Sequence, residues 1–551
     1  MNKKNILLID SIIVVLGALL FISGIGSVRL FDWDEINFAE SAREMLVTGD
    51  WFNVQINFNS FWEKPPLFIW MQALSMKVFG VNEFAARFPN AIMGIITLLT
   101  LFHCGLKSED QRFGLLWAGM YAISFLPFVY FKTGIIDPWF NYFIFLGIYF
   151  FSRYANEMNT KYAALSGLFT GLAVLTKGPV GFLIFGLTFL VWLAVRKGRL
   201  NFRWKDVLVY VVMLALAGGA WFLALAITGH ADVIQDFLVY QVRLFQTKDA
   251  GHGGFLLYHF VILLFGVTPA SFLAISTFRR KILADEAETP NKGLFRWMMV
   301  SFWVVLILFT IVRTKIVHYS SFCWFPLAYL AAWAVSRMMD GKLKFTGWHK
   351  AALIVTATGY GLVFTGLTLF DRWKADLAPL VQDPFAVSCM DASSEWTGYE
   401  PFLGIFLVGM TVWFCIAFTR KKALTSFLPI AVGHVIFAMS FLVSAVGEVE
   451  KYSQASALDF YIERQGEDCY VQPAYFKSYA QYFYTDRQPQ NNCEDFDWLA
   501  RGPIDKPCYF VIKDEPYSIE KIGQDVPDAV FLERKPGFRF YVRYPEKPEE
   551  E

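Results

Sequence analysis

Between Asp32 and Leu67 the chain gathers acids, a lysine and aromatic residues in a pattern suited to chemistry at an apolar surface. Asp32-Trp33-Asp34-Glu35 leads into Ile36-Asn37-Phe38-Ala39-Glu40-Ser41-Ala42-Arg43-Glu44-Met45, and the stretch closes on Trp62-Glu63-Lys64-Pro65-Pro66-Leu67. Other ionisable residues stand beside breakers or aromatics: Ile136-Asp137-Pro138-Trp139, Thr176-Lys177-Gly178-Pro179 and Lys315-Ile316-Val317-His318-Tyr319. Lys132, Arg243, His252 and Arg313 occupy further connecting segments. A carboxylate can take the proton of an attacking hydroxyl, and converging cations suit a phosphate. Each residue also has an ordinary reading. Asp34 can cap a helix, Asp137 before proline can start one, and Glu63 with Lys64 can form a rim pair of little energetic weight. Lys177 and Arg243 can reach lipid phosphates, and His252 can be a loop histidine. What carries weight is that all of these map to one side of a membrane.

That mapping follows from the apolar runs. The 551 residues are 56% hydrophobic and 18% charged, less charge than a soluble domain carries. Runs near 6–27, 84–105, 113–131, 138–152, 162–176, 180–195, 206–228, 256–277, 297–312, 319–336, 351–370, 401–418 and 425–446 give thirteen candidate spans. Lys3 and Lys4 precede the first run, which is long for a signal peptide and reads as a retained span. With the N-terminus inside, the basic clusters at 107–112, 153–161, 196–205, 279–281, 337–344 and 420–422 all fall on the cytoplasmic side. The 28–83, 229–255 and 371–400 loops and the tail from Gly447 then face outward. Within the first loop, Phe38, Ala42, Met45 and Leu46 share one helical face, which predicts a short interfacial helix with its apolar side toward lipid. The run from Pro66 to Phe79 is shorter than the roughly 20 residues of a crossing.

Residues 447–551 form a second region, charged and rich in tyrosine. Cys508–Ile512 and Phe538–Val542 read as strands and Ser518–Ile522 as a short helical turn, which predicts a small α/β domain on the outer face. The membrane domain is thus 1–446, with interfacial helices in 32–80. Cys389, Cys469, Cys493 and Cys508 fall on the oxidising side, where one or two disulfides are allowed and the pairing is undecided. A net charge of +1 provides no field for nucleic acid. A transporter or flippase for lipid-linked sugar would place acids at mid-membrane and carry internal repeats; here the acids lie at outer edges. A sensor or scaffold would leave the outer cations without a role.

The motif Asp34-Glu35-x-x-Phe-Ala-Glu-x-Ala-Arg-Glu-Met, with Trp-Glu-Lys-Pro-Pro-Leu, Leu-Thr-Lys-Gly-Pro and Lys-x-x-His-Tyr, resembles the bacterial aminoarabinose lipid A transferases. These belong with the protein O-mannosyltransferases among the C-type membrane glycosyltransferases. The resemblance implies a polytopic helical fold, a polyprenyl-phosphate sugar donor, and an outer-leaflet glycolipid such as lipid A, or a protein, as acceptor. It implies a bacterial inner membrane setting, with the N-terminus cytoplasmic and the tail periplasmic. By match, Asp34 is the catalytic acid with Glu35 beside it, and Asp137 is the second acid. Lys64, Lys177, Arg243 and Tyr319 hold the lipid phosphate, Lys315, His318 and His252 are further candidates, and Glu63 is a ligand if a divalent metal binds. Two departures stand out: Asn37 and Phe38 replace the usual Arg-Tyr, and Gln241 stands where a histidine is common. The first weakens a phosphate contact, the second the metal. The implied chemistry is direct displacement with inversion.

Overall fold

Each apolar run is helical in the structure, a computed structural model that describes residues 3–198, 200–246, 253–279, 292–493 and 495–546. By length and composition seven of these helices can cross a membrane, or eight if Tyr258–Gly266 and Ala270–Phe278, bent by 104°, make one span. Others are shorter, such as Val180–Val195, or broken, as at Ser124 between Gln111–Ile123 and Phe125–Tyr130. Large apolar side chains, among them Leu7, Leu208, Leu223, Val355 and Ile405, are exposed around the bundle, which suits lipid rather than water. Trp117, Trp297, Trp324 and Tyr329 fill its interior.

Two loops on the expected cytoplasmic side are tied together by Arg112–Asp340 at 2.9 Å and Arg337–Glu109 at 3.2 Å. Arg203, with Asp206, likewise joins 154–160 to 203–206. Arg199, Arg280 and Lys281 lie outside the described residues.

After α1 (Lys3–Phe21), the first loop folds as α2 (Asp34–Thr48), a hairpin of β1 (Gln55–Ile56) with β2 (Asn59–Ser60), and α3 (Leu67–Phe79) before α4 (Glu83–Ser108). The sequence predicts α2 half-immersed in lipid, yet every residue from Glu35 to Met45 is buried. Its polar face meets protein. Phe38, Phe68 and Met76 join one apolar cluster with Leu458, Phe483, Val511 and Phe540 of the C-terminal region. Around that cluster runs a buried polar network. Arg43 pairs with Glu40 at 2.7 Å and Asp486 at 2.9 Å, and donates to the Arg487 carbonyl at 2.8 Å. Glu44 accepts the backbone N–H groups of Asn57 at 2.6 Å and Phe58 at 2.9 Å.

The C-terminal region holds a four-stranded sheet in the order β3-β4-β6-β5, with β3 (Tyr470–Pro473) parallel to β4 (Cys508–Lys513). The hairpin of β5 (Val530–Lys535) and β6 (Phe538–Arg543) completes it in antiparallel register. The expected helical turn is the helix Pro516–Asp525, opened by its proline. The 371–400 segment docks here, because the Asp514 carboxylate accepts from Ser388, Arg534 and Arg539, each at 2.6 Å. Cys389, Cys469, Cys493 and Cys508 are unpaired.

Candidate active site

Asp34 is the first residue of α2, where a carboxylate faces the positive end of the helix dipole. Its side chain stays 38% exposed and stands 3.7 Å from His318 Nε2. It borders a cavity of about 440 Å³ whose walls include Asp32, Trp33, Glu63, Lys64, Lys177, Tyr240, His318 and Tyr319. A smaller adjoining recess shares Lys64, Lys177, His318 and Tyr319 and adds Asp137 and Gln241. Segments far apart in sequence therefore meet at one place.

Lys177 ends the helix Thr160–Lys177. The next residue, Gly178, has φ +89°, and a Cβ there would lie 2.6 Å from the Phe237 ring. Only glycine fits that turn, so Lys-Gly-Pro is a device for stopping the helix with the lysine aimed inward. Lys177 Nζ donates to Asp137 Oδ1 at 2.7 Å and lies 5.6 Å and 5.8 Å from the Phe140 and Tyr319 rings. The Asp137 side chain is 3% exposed, so its main contact is this lysine rather than open cavity. Lys64 Nζ sits 3.8 Å from Glu63 and 5.5 Å from the Tyr240 ring. Tyr240 donates to Glu63 at 3.3 Å.

Several expected residues take other places. Glu35 is buried and grips Arg87 through both oxygens at 2.7 Å and 2.9 Å. It also accepts the N–H groups of Phe31 and Gly134. Burial alone would raise its carboxyl, but Arg87 and these N–H groups outweigh that and hold it below the usual range. These four contacts occupy its oxygens and tie the loop to Arg87. Lys315 folds back onto the carbonyls of Phe309, Thr310 and Val312 at 2.6–2.8 Å, capping the helix Lys292–Ile311. Arg243 is exposed, with its guanidinium 5.2 Å from the centroid of the Tyr240 ring. His252 falls outside the described residues. Lys132 caps α1 through the Leu20 carbonyl at 3.1 Å.

The residues around Glu63 do not fit a metal. Among the described residues no group of three His, Cys, Asp or Glu could hold one, and Gln241 is a weaker donor than histidine. Sequence reasoning assigned no role to Asp32, Trp33 or Tyr240. Asp32 and Trp33 were within the opening motif, but only the folded loop turns them to the cavity.

The family described as dolichyl-phosphate-mannose-protein mannosyltransferase matches residues 63–228. The undecaprenyl phosphate-α-4-amino-4-deoxy-L-arabinose arabinosyl transferase of Pectobacterium carotovorum is 27% identical over 446 residues, 74% of this chain and 77% of the relative. That of Pectobacterium atrosepticum is 26% identical over 383 residues, covering 66% and 67%. Among solved structures, ArnT from Cupriavidus metallidurans bound to undecaprenyl phosphate superposes with a TM-score of 0.76 at 16% identity, covering 97% of both chains. The archaeal oligosaccharyltransferase AglB from Archaeoglobus fulgidus gives 0.50 at 12% identity, over 98% of this chain and 74% of that one.

Proposed function

We propose that this chain, a multi-span membrane glycosyltransferase of the C-type fold, moves a sugar from a polyprenyl-phosphate donor to an outer-leaflet glycolipid such as lipid A. The observation that carries this is one cavity lined by two cations, Lys64 and Lys177, and by a partly exposed carboxylate, Asp34. The similarity to transferases named for undecaprenyl phosphate-aminoarabinose supports the donor class.

In the reaction an acceptor oxygen attacks the anomeric carbon, the bond to the donor phosphate breaks, and polyprenyl phosphate leaves with the bonding pair. Single displacement inverts the anomeric centre. Lys64, Lys177 and Tyr319, which line the cavity, meet the charge that develops on the leaving phosphate. Asp137 keeps Lys177 in position. For a hydroxyl acceptor, Asp34 takes the proton as the bond forms. For a phosphate acceptor no proton is lost, and Asp34 orients the sugar instead. The donor's lipid stays in the bilayer while its head group enters the cavity. The site and the C-terminal domain lie on the outer face, with the N-terminus and the Lys- and Arg-rich loops in the cytoplasm.

A second reading, transfer to protein hydroxyls, draws on the mannosyltransferase description that matches 63–228. Purified protein in lipid, supplied with polyprenyl-phosphate sugars, distinguishes the two. Free polyprenyl phosphate released only when lipid A is added supports the first; release driven by an acceptor peptide supports the second. No acceptor-dependent release refutes both.

A further inference from the structure

One buried guanidinium holds the chain on two sides of the candidate site. Arg87, near the start of α4, is 4% exposed, and all five of its N–H donors are used. Nε and Nη2 grip the two Glu35 oxygens at 2.7 Å and 2.9 Å. Nη1 donates to the carbonyls of Ile25 at 2.8 Å and Val28 at 2.6 Å, and Nη2 also to that of Arg29 at 2.8 Å. Those carbonyls belong to the segment that leads from the first span to Asp34. Glu35 passes the hold on: Oε2 accepts the Phe31 N–H at 2.9 Å and Oε1 the Gly134 N–H at 2.6 Å.

Gly134 lies three residues before Asp137, which starts the helix Asp137–Glu157 and binds Lys177. The strap that joins them is pinned from α4 and α3 as well. Asn90, one turn after Arg87, donates to the carbonyls of Thr133 and Ile135, each at 2.6 Å. Gln72 donates to those of Ala86 at 2.8 Å and Gly134 at 3.3 Å. Both amides are buried. A Cβ at Gly134 would lie 3.2 Å from Glu35 Cγ, so the close approach suits glycine. Thr133, Ile135 and Ile136 of the strap line the cavity, whereas Arg87 does not. The open carboxylate of the site and the acid that guides its phosphate cation therefore hang from one buried ion pair.

We propose that Arg87 is a positioning residue that couples Asp34 to the Asp137–Lys177 pair, so that the proton acceptor and the phosphate clamp keep their spacing. It acts through Glu35, on the turn before Asp34 and on the Gly134 strap. The inference rests on the transferase reading. Lysine cannot stand in for Arg87, because three donors on one nitrogen replace a planar fork of five. A misplacement of about 1 Å at a reacting group can cost about 100-fold in rate, so a loosened strap should be read directly in turnover.

The test uses full-length protein in lipid nanodiscs and three variants, Arg87→Lys, Glu35→Gln and Gly134→Ala. Two quantities are read on folded protein: binding of undecaprenyl phosphate, and its release from undecaprenyl phosphate-aminoarabinose at saturating donor with lipid A present. Arg87→Lys and Glu35→Gln should each lower turnover about 10- to 100-fold. They should also weaken binding about 10-fold, the effect of one misaligned charge-assisted bond. Gly134→Ala strands no charge and shifts only the strap, so both quantities should fall by less. In a Lys177→Ala background, Arg87→Lys should weaken binding no further. Parental turnover and affinity with only a lowered melting temperature overturn the coupling, because a purely structural pair predicts that result. A loss in one quantity alone overturns it, as do additive losses of affinity in the double variant. If neither charged variant folds, Gly134→Ala decides, and parental values in it overturn the proposal. A parent that releases no undecaprenyl phosphate with any acceptor defeats the transferase reading itself, a result distinct from all of these.

Discussion

Lys177 offers a test whose sign and size follow from its surroundings. Its ammonium has three donors, and one is spent on Asp137 at 2.7 Å. Two remain for a phosphate entering from the cavity. Replacing Lys177 with Ala removes a charge-assisted contact of roughly 1.5–3 kcal/mol, so undecaprenyl phosphate binding should weaken about 10- to 150-fold. It also strands Asp137, whose side chain is 3% exposed. Breaking a buried pair from one side costs about 3–5 kcal/mol, so apparent stability should fall as well. Asp137→Asn keeps the cation and loses its guide, and should weaken binding less than Lys177→Ala does. The double variant should bind no worse than Lys177→Ala alone, since Asp137 acts only through the lysine. Binding is measured on folded protein in nanodiscs, with a plain polyprenol as the phosphate-free control. Parental affinity in Lys177→Ala, or additive losses in the double variant, would refute the clamp.

Asp34→Asn should cut turnover about 100-fold or more with donor binding unchanged; a variant that keeps near-parental turnover removes Asp34 from the mechanism. Burial, and then neighbouring Glu40, raise the Glu44 carboxyl from its usual 4.5, so the folded protein keeps a proton that the unfolded chain loses. Stability is then full below the unfolded value and falls as pH rises toward the folded one. Apparent melting in detergent should drop as pH rises from about 4.5 to about 9, and Glu44→Gln should flatten that slope; an unchanged slope contradicts the assignment. For topology, a cysteine at exposed Tyr517 should react with an impermeant maleimide from outside intact cells, whereas one at exposed Lys342 should not. The opposite pattern would place the site in the cytoplasm.

The sequence was most informative where a local pattern sets the outcome. Apolar runs become helices because their backbone groups must be satisfied within the segment, and Lys-Gly-Pro ends a helix because only glycine tolerates the turn. It was least informative where the partner is remote. Glu35 looks like a twin of Asp34, but one helical step, about 100°, turns it to Arg87 rather than to the cavity. Lys315 has the appearance of an outer cation until the helix end bends it onto three carbonyls. The face of α2 that carries Glu40, Arg43 and Glu44 reads as water-facing, because nothing near it in sequence announces Asp486 or Arg487. Trp33 and Lys477 meet only through that same docking, so their contact was not legible from either segment alone.

The wedging of α2 between the bundle and the C-terminal domain also sets an order of events during synthesis. Arg43 and Asp486 are 443 positions apart. At about 5–20 residues per second, the ribosome delivers the second roughly 20–90 seconds after the first. During that interval the helix bearing Asp34 has its apolar neighbours in α3 but no cover over its charged face. The later segment supplies the cover, through Asp486 and Arg487 on Arg43, and also carries Lys477 to Trp33. Lys64 and Lys177 are therefore synthesised well before the residues that cover the charged face of α2.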